Sequence, residues 1–122
     1  MLNLSHKTLD VYKISLSFVK EIYKIPNDFP KHEQYILVSQ LRRAAVSVSS
    51  NIAEGASGIS AKEKKRFYEI SRSSLVEVDT QIEISSMMSY LKITEITVLE
   101  KYMESIFKML SKMITNLDLH PH

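Results

Sequence analysis

The chain has 122 residues, of which 44% are hydrophobic and 25% are charged, a balance that suits one globular domain rather than a disordered chain. It contains no cysteine, so disulfides and thiolate chemistry are excluded. The formal net charge of +2 is too small to give a monomer a strong field that attracts nucleic acid.

The sequence carries no sign of export or membrane insertion. Its start, MLNLSHKTLDVYK, lacks the long apolar core and the cleavage site of a signal peptide. The longest charge-free stretches, such as residues 44–53, are about half the roughly 20 apolar residues that a membrane-spanning helix needs. We therefore expect a soluble, cytoplasmic protein.

The first predicted helix covers about residues 8–25, and its apolar residues form two adjacent stripes at helical spacing. One stripe is Leu9, Tyr12, Leu16, Val19 and Tyr23, and the other is Val11, Ile14, Phe18, Ile22 and Ile25. Together they are wider than one bundle core needs, which indicates an additional subunit interface. Pro26, Asn27 and Asp28 are predicted to end the helix.

The second helix is predicted over about residues 30–55. Pro30 suits a first helical position because its missing N–H costs nothing there. The core stripe is Leu37, Leu41, Ala45, Val48 and Ile52. Gly55 and Gly58, the only glycines in the chain, are predicted to end this helix in one turn.

The third helix is predicted over about residues 61–91, after a capping box formed by Ser60 and Glu63. Its predicted apolar face is Phe67, Ile70, Leu75, Val78, Ile82 and Met88, interleaved with Ser71, Ser74 and Ser85. Long helices of this kind bury one face against neighbouring helices.

The fourth helix is predicted over about residues 95–118 and keeps strict 3–4 apolar spacing, a pattern typical of a coiled-coil-like seam. The seam is Ile96, Leu99, Met103, Ile106, Leu110, Met113 and Leu117. The tail, residues 118–122, is predicted to fray. Because no strand-like alternation or linker occurs, we predict one domain over residues 1–122, an all-α, antiparallel up-down-up-down four-helix bundle.

Residues 42–55, RRAAVSVSSNIAEG, are unusually small and polar for a helix that faces a core. With the hairpin turn placed near residue 57, facing positions have numbers that sum to about 115. Arg43 then faces residues 71–74, Ser47 lies near Tyr68, and Asn51 lies near Lys64. Small side chains on both helices allow close approach.

Polar groups brought inside such a contact must be hydrogen-bonded. The predicted network is Gln40, Arg43, Ser47, Asn51, Glu54, Ser71, Ser74 and Glu77. Arg43 and Glu77 are its predicted charged pair. A register-fixing structural network is the favoured interpretation, and a ligand site or a subunit interface remains the alternative.

Three segments carry a family resemblance: FPKHEQY at 29–35, SQLRRAAVSVSSNIAEG at 39–55, and ISRSSLVEVDTQIEIS at 70–85. They resemble the four-helix bundle proteins encoded in intervening sequences of bacterial 23S rRNA genes, a family that includes the accessory variability protein of diversity-generating retroelements. The resemblance covers nearly the whole chain. It implies a ring-like homopentamer and, in some members, a basic surface that binds nucleic acid.

Two positions depart from that family pattern. The family usually has a basic residue shortly after the EG dipeptide, whereas this chain reads EGASGIS, with Gly58 and Ile59. A glycine is also usual where Ser73 stands. The first departure weakens the implied nucleic-acid contact through that turn, and the second adjusts packing.

The sequence argues against an enzyme. The histidines, His6, His32, His120 and His122, are far apart, whereas metal sites usually have clustered ligands. No phosphate-binding glycine loop or nucleophile elbow occurs, and no histidine lies near the serines as a base. No metal or cofactor is predicted.

Nucleic-acid binding is the favoured function, through two basic clusters. They are Lys62, Lys64, Lys65, Arg66 and Arg72 around the third helix, and Lys101, Lys108 and Lys112 on the fourth. In a pentamer each cluster recurs, so phosphate contacts become appreciable and salt-dependent. The alternative is a structural or adaptor protein whose oligomer face docks another protein.

Overall fold

The structure, a computed structural model, describes residues 1–25 and 29–120, and this part of the chain contains helices and no strand. A 3-10 helix (Ser5–Thr8) leads into α1 (Asp10–Tyr23). A single α-turn (Lys31–Glu33) and a π-helical segment (Gln34–Val38) run directly into α2 (Ser39–Ser57). α3 (Ala61–Met87) and α4 (Ile93–Leu119) follow, which confirms the all-α four-helix prediction. The predicted stop at Pro26, Asn27 and Asp28 lies outside the described residues.

The four helices form a closed square in which α1 contacts α2 and α4, and α3 contacts α2 and α4. The side formed by α1 and α2 is therefore opposite the side formed by α3 and α4. Cross-helix contacts show that α3 and α4 run antiparallel: Arg72 bonds to Ser111, whereas Lys65, earlier in α3, bonds to Asp118, later in α4. None of the helices in the described ranges is both long and apolar enough to cross a bilayer.

The core lies between the inward stripes of all four helices. Of the predicted α4 seam, Leu99, Met103, Ile106 and Leu110 are buried, whereas Ile96, Met113 and Leu117 are partly buried at its edge. α1 buries Val11, Phe18 and Ile22 from one of its two stripes, and Ile25 is buried just after the helix. In the other stripe Leu9, Tyr12 and Val19 are partly buried, whereas Leu16 and Tyr23 are each 47% exposed.

The buried face of α3 differs from the predicted one. Tyr68, Ser71 and Ser74 are buried beside Leu75 and Val78, as are Gln81, Ile82 and Ser85. The predicted Phe67 is only partly buried, and Ile70 and Met88 are 37% and 54% exposed. The prediction was therefore wrong at these three positions, where it followed hydrophobicity, and it missed Tyr68 and Gln81. Its other members are buried as predicted, namely Leu75, Val78 and Ile82 with the interleaved Ser71, Ser74 and Ser85.

α3 also ends earlier than residue 91. Its last residue is Met87, and Ser89 adopts a left-handed conformation with φ of 61°. The Tyr90 N–H then donates to the Ser85 carbonyl over 2.9 Å, a closing bond typical of a helix C-terminus. The opposite error occurs at the tail, where α4 continues to Leu119 instead of fraying from residue 118.

Gly55 does not end α2, as the sequence predicted; it is buried inside the helix, which continues to Ser57. A Cβ atom at position 55 would lie 2.5 Å from Cε1 of Tyr68. The glycine is therefore needed for close approach of the Tyr68 ring, and only Gly58 follows the helix end.

Because α2 ends two residues later than predicted, the hairpin centre lies further along the chain, and the predicted pairings are wrong by five to six residues, or about one and a half helical turns. Ser47 faces Ser74 rather than Tyr68. Lys64 contacts Ala56 rather than Asn51. Arg43 is exposed and does not face residues 71–74.

Candidate nucleic-acid interface

α2 and α3 meet along a serine seam, defined here as Ser47, Asn51, Ser71 and Ser74. The Ser47 and Ser74 hydroxyl oxygens are 2.9 Å apart, and Asn51 Nδ2 donates to the Ser47 carbonyl and hydroxyl oxygens over 2.9 and 3.1 Å. The Ser71 hydroxyl donates to the Val48 carbonyl over 2.8 Å. A side chain this short reaches the partner backbone only when the helices are close, which confirms the predicted close approach.

The other predicted members of the network lie outside the seam. Gln40, Arg43, Glu54 and Glu77 are exposed. No ion pair joins Arg43 to Glu77, so the predicted charged pair is wrong within the described residues. Glu77 instead accepts a 3.4 Å bond from Gln81 Nε2. The true register brings Arg43 to about the level of Glu77, since Ser47 faces Ser74 one turn further along, but both side chains are exposed and do not pair.

The seam also continues into the contact between α1 and α2, which the sequence analysis missed. Ser49 donates to Ser15 over 2.9 Å, and both side chains are buried. Ser15 follows Val11 by four residues and precedes Phe18 by three. Its position on the buried stripe of α1 was therefore the available signal.

Six of the eight predicted nucleic-acid-binding residues lie at one end of the α3–α4 side. We name this group the basic end; it consists of Lys62, Lys65, Arg66, Arg72, Lys108 and Lys112. The antiparallel register brings the start of α3 beside the end of α4, as the contact of Arg72 Nη1 with the Ser111 hydroxyl over 3.1 Å shows. Residues separated by 40 positions in sequence therefore share one surface.

Local structure at the start of α3 sets the exposure of its cations. The Ser60 hydroxyl accepts the Glu63 N–H over 3.1 Å and caps the helix. Lys62 and Arg66 are exposed just after this cap. Lys62, Lys65 and Arg66 line a shallow depression with two carboxylates, Glu63 and Glu69.

Besides Arg72, two of the predicted cations, Lys64 and Lys65, make polar contacts within the protein. Lys64 Nζ donates to the Ala56 carbonyl over 2.9 Å and to the Gly55 carbonyl over 3.4 Å, so it caps the C-terminus of α2. Lys65 Nζ lies 2.8 Å from a carboxylate oxygen of Asp118. The hydrogen bond to that carboxylate raises the pKa of Lys65, which keeps the amine protonated.

Two aromatic rings belong to this end and were missed by the sequence analysis. The Arg66 guanidinium lies 5.4 Å from the centroid of Phe67, and that of Arg72 lies 5.8 Å from the centroid of Phe107. Phe107 is 44% exposed. An exposed ring beside an arginine, as Phe107 is beside Arg72, offers a surface on which a nucleic-acid base can stack. The Arg66–Phe67 dipeptide was the only sequence signal for this pairing.

The eighth predicted residue, Lys101, lies apart from the basic end. It is on the same face of α4 as Lys108 but about 10 Å away along the axis at 1.5 Å per residue. Its neighbours Glu100 and Glu104 are acidic and exposed. The α3–α4 side therefore changes from basic to acidic along its length.

The described residues contain no group of three or more histidine or acidic side chains that could hold a metal ion. His6 is buried, and its ring lies edge-on to Tyr12 at 4.7 Å between centroids. His122, half of the histidine pair at the tail, lies outside the described residues.

Comparison with known proteins places the fold in a family. Residues 7–112 match the model of the 23S rRNA-intervening sequence protein family. A crystal structure of a protein of unknown function from the S23 ribosomal protein family of Bacteroides thetaiotaomicron is similar, with a TM-score of 0.78 and 19% identity over 86% of this chain and 95% of that one. No curated protein matches the chain. These matches indicate no catalytic family.

Proposed function

Since the chain belongs to the 23S rRNA-intervening sequence protein family, we propose that it is a non-enzymatic, oligomeric bundle protein that binds nucleic acid through the basic end. The observation that carries the proposal is the convergence of α3 and α4 cations beside the exposed Phe107 ring. Arg72 of α3 lies over Phe107 and bonds to Ser111 of α4, and Lys108 lines the same concave surface as Phe107.

The chemistry of the basic end favours contact with the sugar–phosphate backbone. Lysine and arginine neutralise phosphates without reading base sequence, and the counterions they release make binding salt-dependent. The exposed Phe107 ring adds stacking for an unpaired base. Single-stranded RNA is therefore the first probe, with single-stranded DNA of the same sequence beside it.

Assembly strengthens the proposal because the net charge of one chain is only +2. In a homo-oligomer, and in the pentamer that the resemblance implies, the basic end is repeated on every subunit. Several basic ends can then contact phosphates of the same nucleic-acid strand. Each contact is weak, but the affinity of the assembly for the strand rises through multivalency.

The test is fluorescence anisotropy of a labelled single-stranded RNA, measured from low to high salt. We expect binding that weakens with salt, and a log–log slope that falls by about 0.7 for each phosphate contact removed. The variant Arg66→Gln/Lys112→Gln should bind RNA more weakly. Its log–log salt slope should be smaller by about 1.4, which corresponds to two lost phosphate contacts. The control Lys31→Gln/Lys101→Gln, which removes two exposed cations outside the basic end, should leave both unchanged.

An adaptor function is the second candidate, favoured by the half-exposed apolar stripe on α1, where Leu16 is 47% exposed. Absence of RNA and DNA binding even at low salt would overturn the nucleic-acid proposal and leave this one. Equal loss of affinity in both double variants would instead show that binding does not depend on the basic end.

A further inference from the structure

The α3–α4 side carries a concave surface directly beside the basic end. We name it the α3–α4 pocket; its exposed lining residues are Val76, Asp79, Glu104, Phe107 and Lys108. Buried apolar side chains, Leu75 and Met103, form its floor. Its volume is about 260 Å³, just below the roughly 300–1,000 Å³ of sites that hold drug-sized ligands. The size therefore suits one flat group such as a nucleobase.

The two ends of the α3–α4 pocket carry opposite charge. Arg72 of α3 bonds to Ser111 of α4. Asp79 follows Arg72 by seven residues and Glu104 precedes Ser111 by seven, so the antiparallel helices bring the two carboxylates to the same level. Lys108 lies about one helical turn from Glu104, on the side of the basic end. The pocket therefore has a carboxylate end and a lysine end.

The charged residues that line the α3–α4 pocket are Asp79, Glu104 and Lys108. None of them takes part in an ion pair within the described residues, so their charges are available to a ligand. A carboxylate only accepts hydrogen bonds, and its charge repels a phosphate. Phosphates of a bound strand therefore lie beside Lys108 and Arg72. The group at the carboxylate end must donate hydrogen bonds and carry no negative charge.

Phe107 lies between the two ends of the pocket. Its ring is 44% exposed, which leaves a surface on which an unpaired base can stack. Along the helix axes, Lys108 is about 6 Å from Glu104 at 1.5 Å per residue. Arg72 is about 10 Å from Asp79 by the same measure. These separations are comparable with the distance from the phosphate to the far edge of the base within one nucleotide, so a single nucleotide spans the pocket.

We propose that the α3–α4 pocket binds one unpaired guanine of a single-stranded RNA. The base stacks on Phe107, and its Watson–Crick edge donates to the carboxylates of Asp79 and Glu104. This inference rests on the proposed function and adds a base preference to it. The basic end holds the phosphates without regard to sequence, whereas the pocket reads the base.

The preference for guanine follows from the donors that each base presents. Proteins read unpaired RNA bases by hydrogen bonds to their Watson–Crick edge. Guanine alone has two neighbouring donors there, N1–H and the N2 amino group, which match the two oxygens of a carboxylate in a charge-assisted pair. Adenine and cytosine each present an amino group beside an acceptor nitrogen. Uracil presents its N–H between two carbonyl oxygens, which a carboxylate repels.

The test is fluorescence anisotropy of the full chain at low salt with a set of labelled short oligouridines. They differ only at one central nucleotide, which is guanosine, inosine, adenosine, cytidine or uridine. We expect the guanosine probe to bind about tenfold more tightly than the all-uridine probe. The inosine probe should fall between them, because inosine keeps N1–H but lacks the N2 amino group.

The variant Asp79→Asn/Glu104→Gln removes both carboxylates at exposed positions. It should bind the guanosine probe and the all-uridine probe equally, and its affinity for the all-uridine probe should be unchanged or higher, because a charge that repels phosphate is gone. The matched control is Glu83→Gln/Glu100→Gln. It removes two exposed carboxylates of the adjoining concave surface and should keep the guanosine preference. Circular dichroism checks that both variants are folded.

The outcomes separate this inference from the proposed function. Equal, salt-dependent binding of all five probes by the unmodified protein overturns the guanine pocket and leaves the proposed function standing. A guanosine preference that survives Asp79→Asn/Glu104→Gln, or one that the control variant loses to the same extent, also overturns the pocket alone. Absence of binding of every probe at low salt overturns the proposed function and this inference with it.

Discussion

The contact between α2 and α3 and the contact between α1 and α4 solve the same packing problem with different side chains. The first is the serine seam, in which hydroxyls bond across the interface and Gly55 admits the Tyr68 ring. The second is aliphatic and aromatic, with Ile106 fully buried and Phe18 packed against Tyr102 at 6.4 Å between ring centroids. Hydrogen bonds are directional, so the serine seam fixes the relative position of α2 and α3. Apolar burial contributes more free energy but tolerates more variation in how the side chains pack.

The largest expected effect comes from the aliphatic contact. Ile106→Ala removes a side chain that is 0% exposed and should lower the free energy of unfolding by about 2–5 kcal/mol, whereas Ile106→Val should cost about 0.5–1.5 kcal/mol. Urea titration followed by circular dichroism measures both. Val98→Ala, at a residue 42% exposed, is the control and should change little. A loss in Ile106→Ala no larger than in the serine variants below would contradict the comparison.

The close approach of Tyr68 to Gly55 predicts that Gly55→Ala changes the free energy of unfolding, and that the sign of the change depends on whether the Tyr68 ring is present. Gly55→Ala places a methyl group 2.5 Å from Cε1 of Tyr68, and overpacking of this kind costs about 1–3 kcal/mol. With Tyr68→Val the ring is gone, and the same alanine should stabilise by up to about 1 kcal/mol through helix propensity. Thermal or urea unfolding of the unmodified protein, the two single variants and the double variant measures this reversal. If Gly55→Ala destabilises the protein with and without the Tyr68 ring, the packing explanation is contradicted.

The serine seam predicts a measurable coupling between its two hydroxyls. Ser47→Ala and Ser74→Ala each remove one side of a 2.9 Å contact, so their effects should not add. The interaction free energy from the double-mutant cycle should be about 0.5–1.5 kcal/mol. Ser47 paired with the distant Ser89 serves as a non-contacting reference cycle. Additive effects for Ser47 and Ser74 would mean that the hydroxyls do not fix position.

The smallest effect concerns pH. Burial raises the pKa of Tyr68 above its usual value near 10.0, because burial disfavours the phenolate. The unfolded chain then releases its proton first, so this part of the stability is complete below about pH 10 and is lost as pH rises further. Tyr68→Phe should therefore show a shallower fall in unfolding free energy above pH 10, measured by urea titration. An unchanged slope would indicate that the hydroxyl ionises freely in the folded state.

The fold was predictable because apolar periodicity is a local property of each helix. The 3–4 spacing through Leu99, Met103, Ile106 and Leu110 located α4, and these residues are buried. The register between α2 and α3 was not predictable from the same pattern. Gly55 was interpreted as a helix stop, whereas its role is to make room for a ring thirteen residues later, which only the packed structure reveals.

The candidate site shows the same division. The sequence identified the cations individually but could not tell which were already engaged, such as Lys64 on the end of α2. The acidic neighbours of Lys101, Glu100 and Glu104, are by contrast visible in the sequence itself. Which α3 and α4 charges lie side by side depends on how the two helices pack, as the contact of Lys65 with Asp118 shows. Helix packing is a tertiary property that the sequence pattern of one helix does not reveal.

The π-helical segment Gln34–Val38 rotates the side chains that precede α2 about the helix axis. A π-turn holds one residue more than an α-turn, so side chains before it are rotated by about 100° relative to an uninterrupted helix. With that rotation Leu37, Val38 and Leu41 all point inward, and Phe29 reaches Tyr90 at 5.2 Å between ring centroids. One surplus residue thus sets Phe29 against Tyr90 at this end of the bundle, and removing it would turn Phe29 away from that contact.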